Sequence, residues 1–174
     1  MIPFLPSYVP PDVDMNQVRA DVADDGVSVP PADAADVPAL RQVVEEARKD
    51  GIDLKIVVID RNPPIDTPLR DIATEVGKTY PEATVLAISP SFAGTYSGHF
   101  DRVTLEAGQD VAKTGNSVQS SKNFLSELTT PHFPWTPFTI VVVLAVIAAV
   151  VTTRVLRVSG KRAAAAEAAS DTAD

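Results

Sequence analysis

The segment LKIVVID at residues 54–60 decides the fold once it is set beside TVLAIS at residues 84–89. Both are short, β-branched runs without polar alternation, the pattern of strands buried on both faces of a parallel sheet. Gly51 on one side and Arg61-Asn62-Pro63-Pro64 on the other bound the first run. Between the two runs, Pro68 opens a helical stretch to about Thr79 with Leu69, Ile72, Ala73 and Val76 on its inner side. Strand, helix and strand make a βαβ unit, for which a parallel pair with a right-handed crossover is the default.

Working back from LKIVVID, the spacing predicts a second helix. Asp36 stands where a cap belongs and Pro38 fits a first turn. Val37, Leu40, Val43, Val44 and Ala47 form a stripe, and Gly51 suits the C-terminal cap. The preceding VSVPPADAA reads as extended linker. A further helix over Asp14 to Asp24 puts Met15, Val18 and Val22 on one face, with Asp12 or Asp14 as its cap and Gly26 as its stop. The opening MIPFLPSYVPPDVD has neither a basic start nor an adequate apolar stretch, so no cleavable signal peptide is expected. Its Ile2, Phe4, Leu5, Tyr8 and Val9, set among prolines, suit either a polyproline-like segment docked on the domain or a partner, or a disordered terminus.

Beyond TVLAIS the pattern softens. SFAGTYSGHFDR is a loop or hairpin. RVTLE at 102–106 is an edge strand or the start of a helix. Asn116 to Leu128 reads as a helix with Val118, Phe124, Leu125 and Leu128 apolar.

From Phe133 to Thr153 no residue is charged. These 21 positions reach roughly 31 Å as a helix, the thickness of the bilayer hydrocarbon. A buried core helix would be shorter and show a polar face. Trp135 and Phe138 mark one membrane interface, and Arg154 and Arg157 the other, where Lys161 and Arg162 follow. The flanking cations predict a single-pass plasma-membrane protein with a cytoplasmic C-terminus and an extracytoplasmic N-domain. A tail anchor with a cytoplasmic N-domain is the alternative. The expected organisation is a Pro-rich segment 1–11, an α/β domain 12–130, a Pro-rich hinge 131–137, a transmembrane helix 138–156 and an Ala-rich, basic-then-acidic tail 157–174. The fold class is α/β: a small central, mainly parallel sheet sandwiched by helices, followed by one transmembrane helix.

Composition narrows the functions. The chain has 174 residues, 45% hydrophobic and 22% charged, with 15 prolines and net charge −8. It suffices for one domain of about 100–150 residues and not for a two-domain enzyme. Without cysteine there is no disulfide, no thiolate catalysis and no Cys-based zinc or iron–sulfur site. The acidic balance argues against nucleic acid as a partner, because phosphate contact needs a basic stripe.

Three carboxylates are candidate metal ligands: Asp60 after the first strand, Asp66 in the following loop, and Asp101 after the glycine-containing loop. If all three lie at the rim where strands present their C-termini, they suit Ca²⁺ or Mg²⁺. A metal-dependent phosphatase would use that ion to polarise a phosphoryl oxygen. The competing roles are a turn cap for Asp60, a helix start for Asp66 and a solvent pair with Arg102 for Asp101. No EF-hand spacing occurs, and no other cofactor is expected. Asp60, Asp101 and His99 are the candidate catalytic residues, His99 as a general acid or base. The loop that contains His99 matches neither a P-loop nor a GxSxG elbow. Phe92, Tyr96 and Phe100 are candidate partner-binding residues, since aromatic side chains anchor interfaces. Asp21, Asp24, Asp25, Asp33 and Asp36 read as solvated helix faces and caps.

The order DDGVSVPPADAADVPALRQVVEEARKDGIDLKIVVID, an Ile/Asp/Pro loop and helix, TVLAIS and FDRVTLEAGQD resembles the TPM domain over roughly Val22 to Lys113. The layout is similar to that of small actinobacterial single-pass membrane proteins of this type. The resemblance implies a central sheet between helices. It also implies either acid-phosphatase or calcium-binding activity, or an assembly or accessory role at a membrane complex. Pro68-Leu69-Arg70-Asp71 stands where many members carry a Tyr-Ala step. With no catalytic constellation and a membrane anchor, the expected function is an interaction or accessory protein with a protein partner in the envelope. The alternative is a divalent-metal-dependent phosphatase.

Overall fold

LKIVVID and TVLAIS pair as expected, but they are the inner strands of a larger sheet. The computed structural model describes residues 8–131 and 135–171, and the chain divides into two units, Met1–Thr130 and Pro131–Asp174. Among the described residues of the first unit are β1 (Val27–Ser28), β2 (Leu54–Val58), β3 (Thr84–Ile88) and β4 (Ala93–Ser97), in the spatial order β1-β2-β3-β4. β1, β2 and β3 are parallel, with Leu54 opposite Thr84 and Val58 opposite Ile88. β4 is antiparallel to β3.

Alternation along β2 sends its side chains into two cores. Leu54 and Ile56, with Leu86 and Ile88 of β3, meet Leu40, Val43, Val44 and Ala47 of α2 (Val37–Lys49) on one face. Leu105 of α4 (Arg102–Val111) and Phe124 of α5 (Ser117–Thr129) complete that core. Val57, Val85 and Ala87 meet Leu69, Ile72 and Val76 of α3 (Thr67–Thr79), with Val18 and Val22 of α1 (Met15–Asp24), on the other face. A sheet covered on both faces explains why its inner strands read as continuous apolar runs.

VSVPPADAA, expected to be linker, is not all linker. Val27 and Ser28 form β1, opposite Ile56 and Val57, and the Ile56 N–H donates to the Gly26 carbonyl at 2.8 Å. Pro31–Asp36 then form a 3-10 turn that leads into α2. The 91–102 loop is a hairpin arm, and RVTLE is helix: the Asp101 carboxylate accepts the Thr104 N–H at 2.8 Å and so caps α4. At Gly94 a Cβ would stand 2.3 Å from the Arg70 backbone nitrogen, so glycine is what lets β4 lie close against α3.

Strand order advances in one direction while α2 crosses on one face and α3 on the other, so the two crossovers have opposite hands. At the carboxyl edge the chain therefore leaves β1 toward one face and β2 toward the other, which opens a crevice between them.

Local capping follows the sequence at α1 but not at α2, where Asp36 holds the N-cap position without a side-chain cap bond. Asp14 accepts the Asn16 and Gln17 N–H groups at 2.9 and 3.3 Å. Replacing Asp14 with Ala removes both bonds, and thermal unfolding should show a loss of about 1 kcal/mol. From Tyr8 onward the N-terminal segment lies on its own domain: the Tyr8 N–H donates to Asp71 Oδ2 at 2.8 Å, and Val9 and Val13 pack on the α3-side core. Residues 1–7 of the expected Pro-rich segment lie outside the described residues.

In the second unit, α6 runs over Trp135–Asp171. Its stretch Pro137–Lys161 is long and apolar enough to cross a membrane and has no residue buried against protein. The helix starts inside the expected hinge, which puts Pro137 in the first turn, where its missing N–H costs no intrahelical bond. The expected tail is helical to Asp171. Residues 132–134 of the hinge lie outside the described residues. The fold is a small, mostly parallel sheet flanked by helices, with one long apolar C-terminal helix.

Candidate functional site

The carboxyl edge of the parallel strands holds a cleft of about 370 Å³. Val58, Ile59 and Asp60 from the end of β2 form its floor with Ile88, Ser89 and Pro90 from the end of β3. The Ile59 N–H donates to the Ile88 carbonyl at 2.8 Å, which holds the two strand ends together one step beyond the ladder. Asn62 then staples the two exit loops. Its Oδ1 accepts from Ser89 Oγ at 2.9 Å and from the Ser91 N–H at 2.8 Å, and its Nδ2 donates to Ser91 Oγ at 3.0 Å.

Two further elements wall the cleft. The 3-10 turn brings Asp33 and Asp36, and the start of α5 brings Gly115, Asn116, Ser117 and Ser120. Gly115 has φ +80, which favours glycine, and Asn116 caps α5 by accepting the Gln119 N–H at 2.8 Å. Ser117 Oγ donates to Asp36 Oδ2 at 2.5 Å across 81 residues of sequence. This bond sets a carboxylate beside the positive end of a helix, a favourable charge arrangement. Ser120 Oγ and Thr114 Oγ1 are 2.7 Å apart. On the α1 side, at the ends of β1 and β2, a smaller cleft of about 230 Å³ is lined by Asp12, Asp14, Asp21, Ser28 and Val57–Asp60, among others. The two clefts share Val58, Ile59 and Asp60, and both are lined by carboxylates.

The expected site residues separate. Asp60 lies in the cleft, is exposed, and has Arg61 Nε 3.9 Å away. Asp66 is exposed at the start of α3 and makes no side-chain cap bond. Asp101 does not join them. Because β4 is antiparallel, with Ser97 opposite Thr84, the chain has returned to the amino edge of β3 before Asp101 begins α4. α4 then carries the chain back, so that a Cβ on Gly115 would stand 3.5 Å from the Pro90 carbonyl. Asp60 and Asp101 thus occupy opposite edges of the sheet, and the expected three-carboxylate convergence is corrected. Among the described residues no group of three or more His, Asp or Glu is placed to hold a metal. His99 shares the amino edge with Asp101: it is exposed, with Nε2 3.0 Å from Glu82 Oε2.

The aromatic trio is not one surface. Phe92 and Tyr96 are half-buried against the α3-side core, and Phe100 packs against the other core. A Cβ on Gly77 would stand 2.2 Å from the Tyr96 ring, which shows how closely that ring lies on α3. Of the expected membrane-interface residues, Trp135 opens α6, and Phe138, Arg154 and Arg157 are exposed along it. Sequence reasoning missed Asp33, Asp36, Asn116, Ser117 and Ser120 as cleft residues. The available signal was Asn116 as a helix cap, but placing that cap at the strand ends requires the topology.

A family model described as "Membrane protein Rv1476" matches residues 8–168. The chain is 56% identical over 163 residues to the membrane protein Rv1476 of Mycobacterium tuberculosis, covering 94% of this chain and 86% of that relative. The solution structure of the N-terminal domain of the cg2496 protein from Corynebacterium glutamicum aligns with a TM-score of 0.47 at 11% identity, over 73% of this chain and 91% of that one.

Proposed function

The chain belongs to the family of membrane protein Rv1476, and from that premise we propose a single-pass protein whose α/β unit is an interaction or accessory module for a membrane or envelope complex. The observation that carries the reading is the acidic carboxyl-edge cleft. Asp33, Asp36 and Asp60 line it with serine hydroxyls, and no lysine, arginine or histidine is among its described lining residues. Such a lining suits a cationic or hydrogen-bond-donating segment of a protein partner. A TPM-like assignment for Val22 to Lys113 is part of the same proposal, supported by the sheet held between helices. Orientation follows from Arg154, Arg157, Lys161 and Arg162 after the apolar stretch, which favour a cytoplasmic C-terminus and an extracytoplasmic α/β unit.

The test is purification of the tagged full chain from its native membranes in mild detergent. A stoichiometric protein partner should co-purify. Its recovery should fall at least about tenfold when Asp33 and Asp60 are both changed to Ala, as expected for truncating interfacial charges that pair with a partner. A chain recovered alone overturns the proposal. So does release of phosphate from a generic ester that requires a divalent cation and is lost in Asp60→Asn, which points to a phosphatase instead. Protease digestion of an N-terminal tag on intact cells tests the orientation, and protection until permeabilisation means a tail anchor.

A further inference from the structure

Helix α6 carries three of its four cations on one side; the fourth, Arg162, stands at i+8 from Arg154 and falls off that arc. Arg154, Arg157 and Lys161 stand at positions i, i+3 and i+7. At 3.6 residues per turn that spacing confines them to an arc of roughly 60°. The helix is unbroken through this stretch, and all three side chains are exposed. Arg154 follows directly on Thr153, where the uncharged stretch ends. Lys161 lies about 10 Å further along the axis. A bilayer of about 40–45 Å with a hydrocarbon core of about 30 Å leaves some 5–8 Å for each headgroup layer. The flexible stems of arginine and lysine let all three charges reach into one such layer.

Among the described residues nothing neutralises them locally. The sequence has no Asp or Glu between Glu127 and Glu167. Among the described residues no carboxylate lies within ion-pair distance of the three. Val155 and Leu156, 57% and 66% exposed, occupy other sides of the same turns and keep them compatible with acyl chains. Cations that serve only to fix orientation act equally from any side of a helix. Three on one arc place several N–H donors, two of the groups being planar guanidinium forks, where a single phosphodiester can take them together.

We propose that Arg154, Arg157 and Lys161 form a docking stripe for the headgroup phosphate of an anionic phospholipid in the leaflet at the C-terminal end of the apolar stretch. The test reconstitutes the full chain in vesicles of phosphatidylcholine and phosphatidylglycerol, the same in both leaflets so that orientation does not matter. Native mass spectrometry after mild extraction then reads the lipids retained. Phosphatidylglycerol should be retained well above its bulk proportion, and retention should fall about fivefold for each of R154Q, R157Q and K161Q. The double variant V155R/R157Q keeps the net charge and moves one cation about 100° from Arg154. It should lose about as much as R157Q alone. Carbonate extraction of every variant confirms that it remains inserted. Wild-type protein that retains the two lipids in bulk proportion overturns the proposal and assigns the cations to an acidic protein partner or to orientation alone. Undiminished retention in V155R/R157Q overturns it too, because net charge and not the stripe would then be responsible.

Discussion

Two arginines at the middle of α6, Leu144→Arg with Ala148→Arg, are expected to shift the full chain from the membrane pellet to the supernatant on alkaline carbonate extraction. The helix is apolar on every side as far as Thr153, and over Pro137–Lys161 it is unburied by protein. A helix hydrophobic all round needs either a protein core or a bilayer, and here protein does not cover it. Each arginine near the centre of a membrane-spanning helix costs about 2.5–3.5 kcal/mol in insertion. The pair therefore costs about 5–7 kcal/mol, enough to reverse the preference of a single helix. Leu144 and Ala148 are exposed on α6, so neither change disturbs a protein contact among the described residues. Retention in the pellet would show that something other than this helix holds the chain in the membrane.

Phe124→Ala should destabilise the α/β unit by about 3–5 kcal/mol, read from denaturant unfolding of the full chain in detergent. Phe124 is fully buried on the α5 side of the sheet, and its ring lies so close to α4 that a Cβ on Gly108 would stand 2.8 Å from Cδ2. The truncation loses the transfer free energy of the ring and leaves a cavity between two helices that the sheet holds in place. The same contact supplies an internal check. Gly108→Ala alone overpacks the site and should cost about 1–3 kcal/mol. In the Phe124→Ala background it should be nearly neutral, because the atom it would strike is gone. Additive effects would mean that the two residues do not meet as described.

The elements legible in the sequence are those whose signal is local. The stripes Val37, Leu40, Val43, Val44, Ala47 and Leu69, Ile72, Ala73, Val76 are helical periodicity, and the structure buries every one of these side chains except Val37, which is half-buried. Asp14 and Asn116 announce their helices because a cap is a contact two or three residues long. β1 could not be seen in this way. A two-residue strand has no periodicity of its own, and Val27-Ser28 is a strand only because Ile56 and Val57 lie beside it. RVTLE was ambiguous for the complementary reason: a five-residue apolar pattern fits either period, and the choice of helix rests on Asp101 as its cap and on packing against α5.

The candidate site divides along the same line. Asp60 is found by placing a carboxylate at the end of a strand, and it does stand in the cleft. Sequence order alone suggests that edge for Asp101, and the antiparallel return of β4 takes it to the other, where His99 also lies. Asp36 and Ser117, which meet across the cleft, are 81 residues apart and have no signature in either segment.

By itself the sequence determined the two inner strands, the helices beside them and the uncharged stretch that forms most of α6, because burial and bilayer thickness each impose a pattern on consecutive residues. Only the tertiary structure decided which loops share an edge. Strand direction and crossover face are set by long-range pairing, and no short run of residues encodes them.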